Sequence, residues 1–121
     1  MEKYLKTEKK ILSSGINLEY GPNKFLFREG QDLNHIFYLV DGEVELSSKD
    51  SNLIIKPKNK LFFGINDLEN HAKHSFNLQT KSYSQFLIYE KSFFISLLEE
   101  YDDAKDYYYL KLQDFFNSKE V

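Results

Sequence analysis

Residues 36–46 read Ile-Phe-Tyr-Leu-Val-Asp-Gly-Glu-Val-Glu-Leu, two short apolar runs separated by Asp41-Gly42. Asp-Gly between two strand-like runs is the strongest short-range signal for a β-hairpin. Similar short apolar runs, divided by turn residues, continue from Leu18 to about Tyr89. Many short strands at this spacing are typical of a sandwich or a barrel. The sequence therefore predicts a β-region over residues 18–89.

Helical periodicity flanks the β-region on both sides. Residues 1–15 predict an N-terminal helix that stops at Gly15, and residues 90–118 predict two C-terminal helices. The last helix is apolar on two sides, so it either contacts another subunit or packs flat on the β-region. At 121 residues the chain has the length of one domain, and we expect residues 1–121 to form a single unit.

Composition excludes several classes of protein. No apolar run approaches the roughly 20 residues that a membrane helix needs. The N-terminus lacks the apolar centre of a signal peptide, so we expect a cytoplasmic protein without membrane contact. Because the chain has no cysteine, disulfides, thiolate metal sites and cysteine nucleophiles are excluded.

The charge balance is mildly acidic. Sixteen Lys and Arg residues oppose 19 Asp and Glu residues, which gives a net charge of −3. No segment carries the basic excess typical of a protein that grips DNA through its phosphates. Arg28 is the only arginine, so a bidentate guanidinium contact with an anion would have to use this residue.

Three segments together resemble the cyclic nucleotide-binding domain family. The first is residues 25–30, Phe-Leu-Phe-Arg-Glu-Gly, and the second is residues 36–46. The third is Pro57 followed by Phe-Phe-Gly at residues 62–64, which is similar to the approach to the family's ligand loop. The resemblance extends over about residues 15–116. It implies a mainly β fold, a small jelly-roll β-barrel (a double-stranded β-helix) with an N-terminal helix and two C-terminal helices.

The family's ligand loop is a phosphate-binding cassette. In the family, a Glu after the Phe-Gly pair holds the ribose, and an Arg about ten residues later pairs with the cyclic phosphate. Here Ile65 and His74 stand at these two places, and Ser75 keeps the hydroxyl that follows. The resemblance implies ligand contacts at Gly64, Ile65, Asn66, Asp67, Leu68, His74 and Ser75, with Tyr108 of the last helix as a cap.

These departures predict that cyclic AMP binding is lost or altered. A histidine with its reference pKa near 6.5 is mostly neutral at pH 7, whereas an arginine carries a permanent charge. Losing the guanidinium and the ribose acceptor is expected to weaken binding on the order of 100- to 10,000-fold. If the cassette is otherwise as in the family, His74→Arg combined with Ile65→Glu is expected to create cyclic AMP affinity.

Other residues of the loop could compensate in part. Asn66, Asp67 or Glu69 could replace the ribose contact if the loop is shifted, and Lys73 could supply charge beside the phosphate. Phe76, by contrast, stands where the family prefers a small side chain, and we expect it to put bulk into the pocket.

A metal site is the alternative from a different class of protein. Jelly-roll barrels also host metal enzymes of the cupin type, and His71 and His74 lie close in sequence. A catalytic site usually needs three protein ligands, and Glu43 or Glu69 could be the third, with His35 the remaining histidine. The cupin signature is absent, as is a Gly-x-Ser-x-Gly elbow. We expect neither a metal nor a cofactor, apart from a possible cyclic nucleotide.

We therefore expect a non-enzymatic regulatory, sensor or protein-interaction domain of the cyclic nucleotide-binding fold. The alternatives are a working receptor for a cyclic nucleotide or another small anion, and a cupin-like metal-binding barrel. Regulators of the catabolite-activator type read DNA with a module after the long helix, and this chain ends at Val121, so we expect no direct DNA binding. The expected partner is a second copy, bound through the C-terminal helix, or another protein.

Overall fold

The structure, a computed structural model, describes residues 4–49, 52–55, 60–69 and 72–118, with only the backbone of Leu53. In chain order, the elements are α1 (Leu5–Ser13), β1 (Ile16–Tyr20), β2 (Phe25–Phe27), β3 (His35–Asp41), β4 (Val44–Ser47), β5 (Asn52–Ile55), β6 (Phe62–Phe63), a 3₁₀ turn (Ile65–Asp67), β7 (Asn77–Thr80), β8 (Ser84–Glu90), α2 (Lys91–Glu100) and α3 (Ala104–Ser118). None of the helices described is long and apolar enough to span a membrane.

The strands form two antiparallel sheets of four strands each. Sheet A has the order β1-β8-β3-β6, and sheet B has the order β2-β7-β4-β5. Each pair of strands that is adjacent in a sheet, other than β4 and β5, is distant in sequence, which is the connectivity of a jelly roll. The predicted fold class, mainly β with one N-terminal and two C-terminal helices, is confirmed.

Asp41-Gly42 does not close a hairpin, and this part of the prediction is wrong. β3 pairs with β6 on one side and β8 on the other, so neither edge is free for β4. The turn instead carries the chain from sheet A to sheet B. Gly42 has φ +120°, and a Cβ there would lie 2.7 Å from the Cα atom of Ser84, so only glycine fits. Gly30 also has a positive φ, +90°.

The element boundaries differ slightly from those predicted. α1 ends at Ser13, two residues before Gly15, and β1 begins at Ile16 rather than at residue 18. β8 continues through Glu90, and α2 follows at once. Pro57, which contributed to the resemblance, lies outside the described residues, as does His71.

Sheet A is the middle layer of the molecule, which explains the uninterrupted apolar run of β3. Because side chains alternate between the faces of a strand, Phe37 and Leu39 point to sheet B while Ile36 and Tyr38 point to the helices. The core between the sheets also contains Phe27, Val44, Leu46, Leu78 and Phe86. The core under the helices also contains Ile11, Phe62, Tyr89, Phe94, Leu97 and Tyr107.

A buried polar group joins α1 to α3. The hydroxyl of Tyr107 donates to the Glu8 carboxylate at 2.7 Å, and the Lys111 ammonium lies 3.5 Å from the same oxygen. Lys111 is a buried lysine, and such a charge is tolerated when it has an ionic partner. Burial, followed by the bond to Glu8, raises the pKa of Tyr107, which keeps its hydroxyl a donor. These contacts hold α3 against the rest of the domain.

Candidate functional site

The candidate ligand loop begins at Gly64, directly after β6. Gly64 has φ +104°, and a Cβ there would lie 3.1 Å from the Cδ1 atom of Ile36. Its carbonyl accepts the N–H of Asp67 at 3.1 Å, which closes the 3₁₀ turn. Because the turn is tight and packed against β3, Ile65 and Asp67 are both buried.

The Asp67 carboxylate binds the donors of Ser75. Oδ2 accepts the backbone N–H of Ser75 at 2.8 Å, and Oδ1 accepts the Ser75 hydroxyl at 2.5 Å. The side-chain amide of Asn66 also approaches Oδ2, at 3.3 Å. Only 2% of the surface of Asp67 is exposed. In the family, Ser75 would follow the arginine that binds the phosphate. Here its two donors instead bind the Asp67 carboxylate, an anion that the chain itself supplies.

His74 is part of the apolar core. Its ring stacks parallel to that of Phe27, with ring centroids 3.6 Å apart, and only 4% of its surface is exposed. Its backbone bonds to the loop after β2, where the His74 N–H donates to the carbonyl of Gln31 and the N–H of Gly30 donates to the His74 carbonyl. Nδ1 has no hydrogen-bond partner among the described residues. Burial lowers the pKa of His74 to about 4, with the nearby Asp67 opposing the shift, so the ring is neutral at pH 7.

Lys73, which precedes His74, and Arg28, the only arginine, each contact residues outside the predicted site. The Lys73 ammonium pairs with Asp32 at 2.8 Å, and both side chains are exposed. The hydrogen bond from Lys73 lowers the pKa of the Asp32 carboxyl. The Arg28 guanidinium lies 3.8 Å from the ring centroid of Phe25 at the end of β2. Neither contact directs a positive charge to Asp67 and Ser75.

α3 covers the loop from the helical side. The hydroxyl of Tyr108 lies 3.4 Å from the carbonyl oxygen of Ile65, in a buried position. Burial and the nearby Glu69 raise the pKa of Tyr108 to about 12. Tyr109, the next residue, is exposed and donates its hydroxyl to Glu69 at 3.2 Å. Leu68 and Leu112 are partly buried and pack against the same core.

Phe115 of α3 enters the core between the sheets. Only 1% of its surface is exposed, and its ring centroid lies 6.3 Å from those of Phe63 and Phe76. Phe76 itself is half-buried. The bulk predicted at Phe76 is therefore packed against α3.

The structure brings some of the predicted site residues together and separates others. Hydrogen bonds connect Asn66, Asp67 and Ser75, and Tyr108 meets the backbone of Ile65, whereas His74 packs on Phe27. Their roles in ligand binding stay predictions. Sequence reasoning missed Phe27 as a partner of His74, because no local sequence pattern pairs two residues that lie so far apart in the chain. The sequence predicted an apolar last helix, but helical periodicity cannot show that Phe115 enters the core between the sheets.

Metal ligands do not cluster in the part of the chain described. No group of three or more His, Asp or Glu side chains could hold a metal ion in residues 4–49, 52–55, 60–69 and 72–118. His35 is exposed at the start of β3, and His71 lies outside these ranges.

Comparison with known proteins supports the same fold. A cyclic nucleotide-binding protein from Geobacter metallireducens has a TM-score of 0.72 and 13% identity, over 90% of this chain and 81% of that one. A transcriptional regulator from Thermotoga maritima has a TM-score of 0.72 and 16% identity, over 91% and 89%. The c-di-GMP-responsive regulator CLP from Xanthomonas campestris has a TM-score of 0.76 and 16% identity, over 95% and 61%.

Comparison by sequence matches a family description but no curated protein. A search of curated proteins finds no match. The family description named cyclic nucleotide-binding domain matches residues 17–101, which cover β1 from its second residue, β2 to β8, the candidate loop and α2. The chain therefore belongs to the cyclic nucleotide-binding domain family.

Proposed function

We propose that this chain is a non-enzymatic regulatory domain whose nucleotide cassette is closed by its own side chains. The observation that carries the proposal is the pair of hydrogen bonds from Ser75 to the buried Asp67 carboxylate. A backbone N–H has one proton to donate, and here that proton is already bound to an oxygen. A cyclic phosphate at the same donors would have to displace a carboxylate of the same sign.

Charge supports a closed cassette. A phosphodiester needs a cation or several strong donors to offset the loss of water on burial. The neutral His74 cannot supply a charge at pH 7, and Lys73 is held at the surface by Asp32. Ile65, at the ribose position, has no side-chain acceptor and is buried under α3. The residues at the phosphate-pairing position and at the ribose position are thus both replaced by residues that cannot make those contacts.

Packing supports the same proposal. Phe115 inserts between the sheets and meets Phe63 and Phe76, so an aromatic side chain of the domain occupies interior space beside the loop. These aromatic contacts hold α3 on the sheets through the domain's own side chains. The proposed domain therefore works as a rigid surface rather than as a nucleotide-driven switch.

The proposed partner is another protein that contacts α3. The broad apolar face of this helix is used within the domain, but Tyr109 and Phe116 remain exposed on its outer side. A cleft of about 230 Å³ adjoins Tyr109 and is lined by residues that include Leu68, Ile95 and the carboxylate-bearing Glu99. Exposed aromatic side chains are enriched in protein contacts relative to the rest of a protein surface.

The second candidate function is a receptor in which a small anion displaces Asp67. It is favoured by one observation, namely that two donors of Ser75 converge on a single anionic group. In this case the Asp67 carboxylate would leave the loop when the ligand binds.

Calorimetric titration with cyclic AMP, cyclic GMP and cyclic di-GMP tests both functions. We expect no saturable heat up to millimolar nucleotide with the native chain. Saturable heat at micromolar nucleotide that disappears in Ser75→Ala would overturn the closed cassette and establish the receptor. Lys6→Ala, an exposed substitution on α1, serves as the control because it lies away from the loop.

A further inference from the structure

β1 is an edge strand whose apolar side chains are open to solvent. Ile16 is 66% exposed and Leu18 is 42% exposed. Ile16 lies opposite Ile88, and Leu18 lies opposite Phe86, both of which belong to the core between the sheets. Residues opposite each other in an antiparallel pair share a face, so Ile16 and Leu18 point to the inner side of sheet A. Sheet B does not cover them there.

The outer edge of β1 also has an unpaired backbone. Among the described residues, the backbone of Ile16–Tyr20 pairs with β8 alone. Since an antiparallel strand directs its N–H and C=O groups alternately to its two sides, about half of those in β1 face solvent. Such an edge is a template for another extended strand.

The other edge strands are shorter. β6 has two residues, β2 has three with a register irregularity between Phe25 and Phe27, and β5 has four in regular register with β4. β1 runs for five residues in regular register with β8 and contains no proline or lysine, residues that commonly block an edge. β1 is therefore the longest edge strand that the structure describes.

We propose that β1 pairs antiparallel with β1 of a second copy, about a twofold axis at Leu18. In this register Leu18 faces its own counterpart, Ile16 faces Tyr20, and Asn17 faces Glu19. The apolar residues meet on one face, and the amide of Asn17 meets the carboxylate of Glu19 on the other. The strand is self-complementary, as a twofold interface requires.

Neighbouring registers are worse. A shift that centres the axis on Glu19 puts two carboxylates opposite each other, which is unfavourable. A shift that centres it on Asn17 leaves Tyr20 beyond the paired region and moves Glu19 opposite Gly15. Only the register centred on Leu18 pairs all five residues without a like-charge contact. Sheet A of each copy has four strands, so this pairing joins the two copies of sheet A into one continuous eight-stranded sheet.

This pairing uses neither the ligand loop nor the outer face of α3. It goes beyond the proposed function, because Tyr109 and Phe116 stay exposed to a different protein. β1 of the second copy supplies the matching chemistry. It is an extended strand with apolar side chains on one face and an amide next to a carboxylate on the other.

Disulfide trapping provides a direct test, since the native chain has no cysteine. Directly opposite residues are about 4.5–5.5 Å apart between Cα atoms, within the range of a disulfide, whereas diagonal pairs are about 7–8 Å apart. We expect Leu18→Cys to form a covalent dimer under mild oxidation at least tenfold faster than Asn17→Cys. Equal rates for the two variants, or faster trapping through Phe116→Cys on α3, would overturn the proposal.

Sedimentation velocity gives the second measurement. At roughly 100 μM, where small interfaces associate, we expect the native chain to sediment as a dimer. Leu18→Lys should weaken the dimer at least tenfold, while Ile54→Lys, which replaces an exposed residue of β5, should leave it unchanged. Thermal unfolding of each variant checks that it is folded. A native chain that stays monomeric at this concentration contradicts the pairing.

Discussion

The Asp67 carboxylate holds both the backbone N–H and the hydroxyl of Ser75, at 2.8 and 2.5 Å. The two residues are eight positions apart, and their bond ties the two ends of the candidate ligand loop together. Hydrogen bonds to an ionised acceptor are stronger than neutral ones. The bond therefore stabilises the loop in its present shape as well as occupying its donors.

Removing the Asp67 carboxylate should destabilise the domain. Asp67→Ala leaves the N–H and hydroxyl of Ser75 without their buried acceptor, at a cost of about 2–4 kcal/mol in the free energy of unfolding. Asp67→Asn keeps one carbonyl oxygen and should cost about half as much. Urea denaturation measures both values. Asp32→Asn is the matched control, because its carboxylate is exposed, and it should not change stability measurably.

The buried His74 should make stability depend on pH. The unfolded chain takes up a proton on this ring near pH 6.5, but the folded chain takes it up only near pH 4. Between these values the unfolded state binds more protons, so the free energy of unfolding falls as the pH falls. The loss should reach about 2 kcal/mol at pH 5 and should be absent above pH 7.

His74→Phe provides the comparison for this pH effect. A phenyl ring keeps the stack on Phe27 but cannot bind a proton, so the variant should lose less stability between pH 7 and pH 5 than the native chain. His35→Gln, at an exposed histidine, should follow the native curve. Identical slopes for the native chain and His74→Phe would show that His74 titrates normally in the folded state.

The strands and helices could be predicted from the sequence because local patterns of apolar residues specify them. The short apolar runs of residues 18–89 and the helical periodicity on both sides of them predict the correct types of element. The pairing of β3 could not be read locally. Asp41-Gly42 indicated a hairpin, yet β6 and β8, which come later in the chain, occupy both edges of β3.

The residue type of Gly64 marked the tight turn that opens the candidate loop, but the contacts inside the loop were not predicted. Gly64 has the left-handed backbone that the turn requires, so a residue type was enough to mark it. Asp67 was predicted as a ligand contact and as a possible replacement for the ribose acceptor, and its hydrogen bonds to Ser75 were not foreseen. Ile36 and Leu33 pack close to Gly64 from outside the loop, and no local sequence pattern records such a contact.

Phe115 should contribute far more to stability than its neighbour Phe116. Phe115→Ala would leave a cavity between the sheets beside Phe63 and Phe76, at a cost of about 3–5 kcal/mol in the free energy of unfolding. Phe116 is 46% exposed, and Phe116→Ala should change that free energy by about 0.5 kcal/mol or less. Chemical denaturation of the pair measures the difference, and equal losses would contradict the insertion of Phe115 into this core.

Restoring the family residues should not restore cyclic AMP binding. Ile65→Glu would put a carboxylate in the core under α3, where the described neighbours are largely apolar, and His74→Arg would put a guanidinium in the space between Phe27 and the loop. Burying an unpaired charge costs several kcal/mol. The double variant should therefore be less stable than the native chain by about 4 kcal/mol or more, and calorimetry should detect no cyclic AMP binding.

Asn66→Glu offers a matched control for this experiment, since Asn66 is half-buried and can direct a carboxylate to solvent. It should unfold within about 1 kcal/mol of the native chain. A double variant that stays folded and binds cyclic AMP saturably would mean that Asp67 gives up Ser75 readily when a phosphate and a guanidinium are both present. In that case the closed cassette opens at a small cost in free energy, and the donors of Ser75 are available to a ligand.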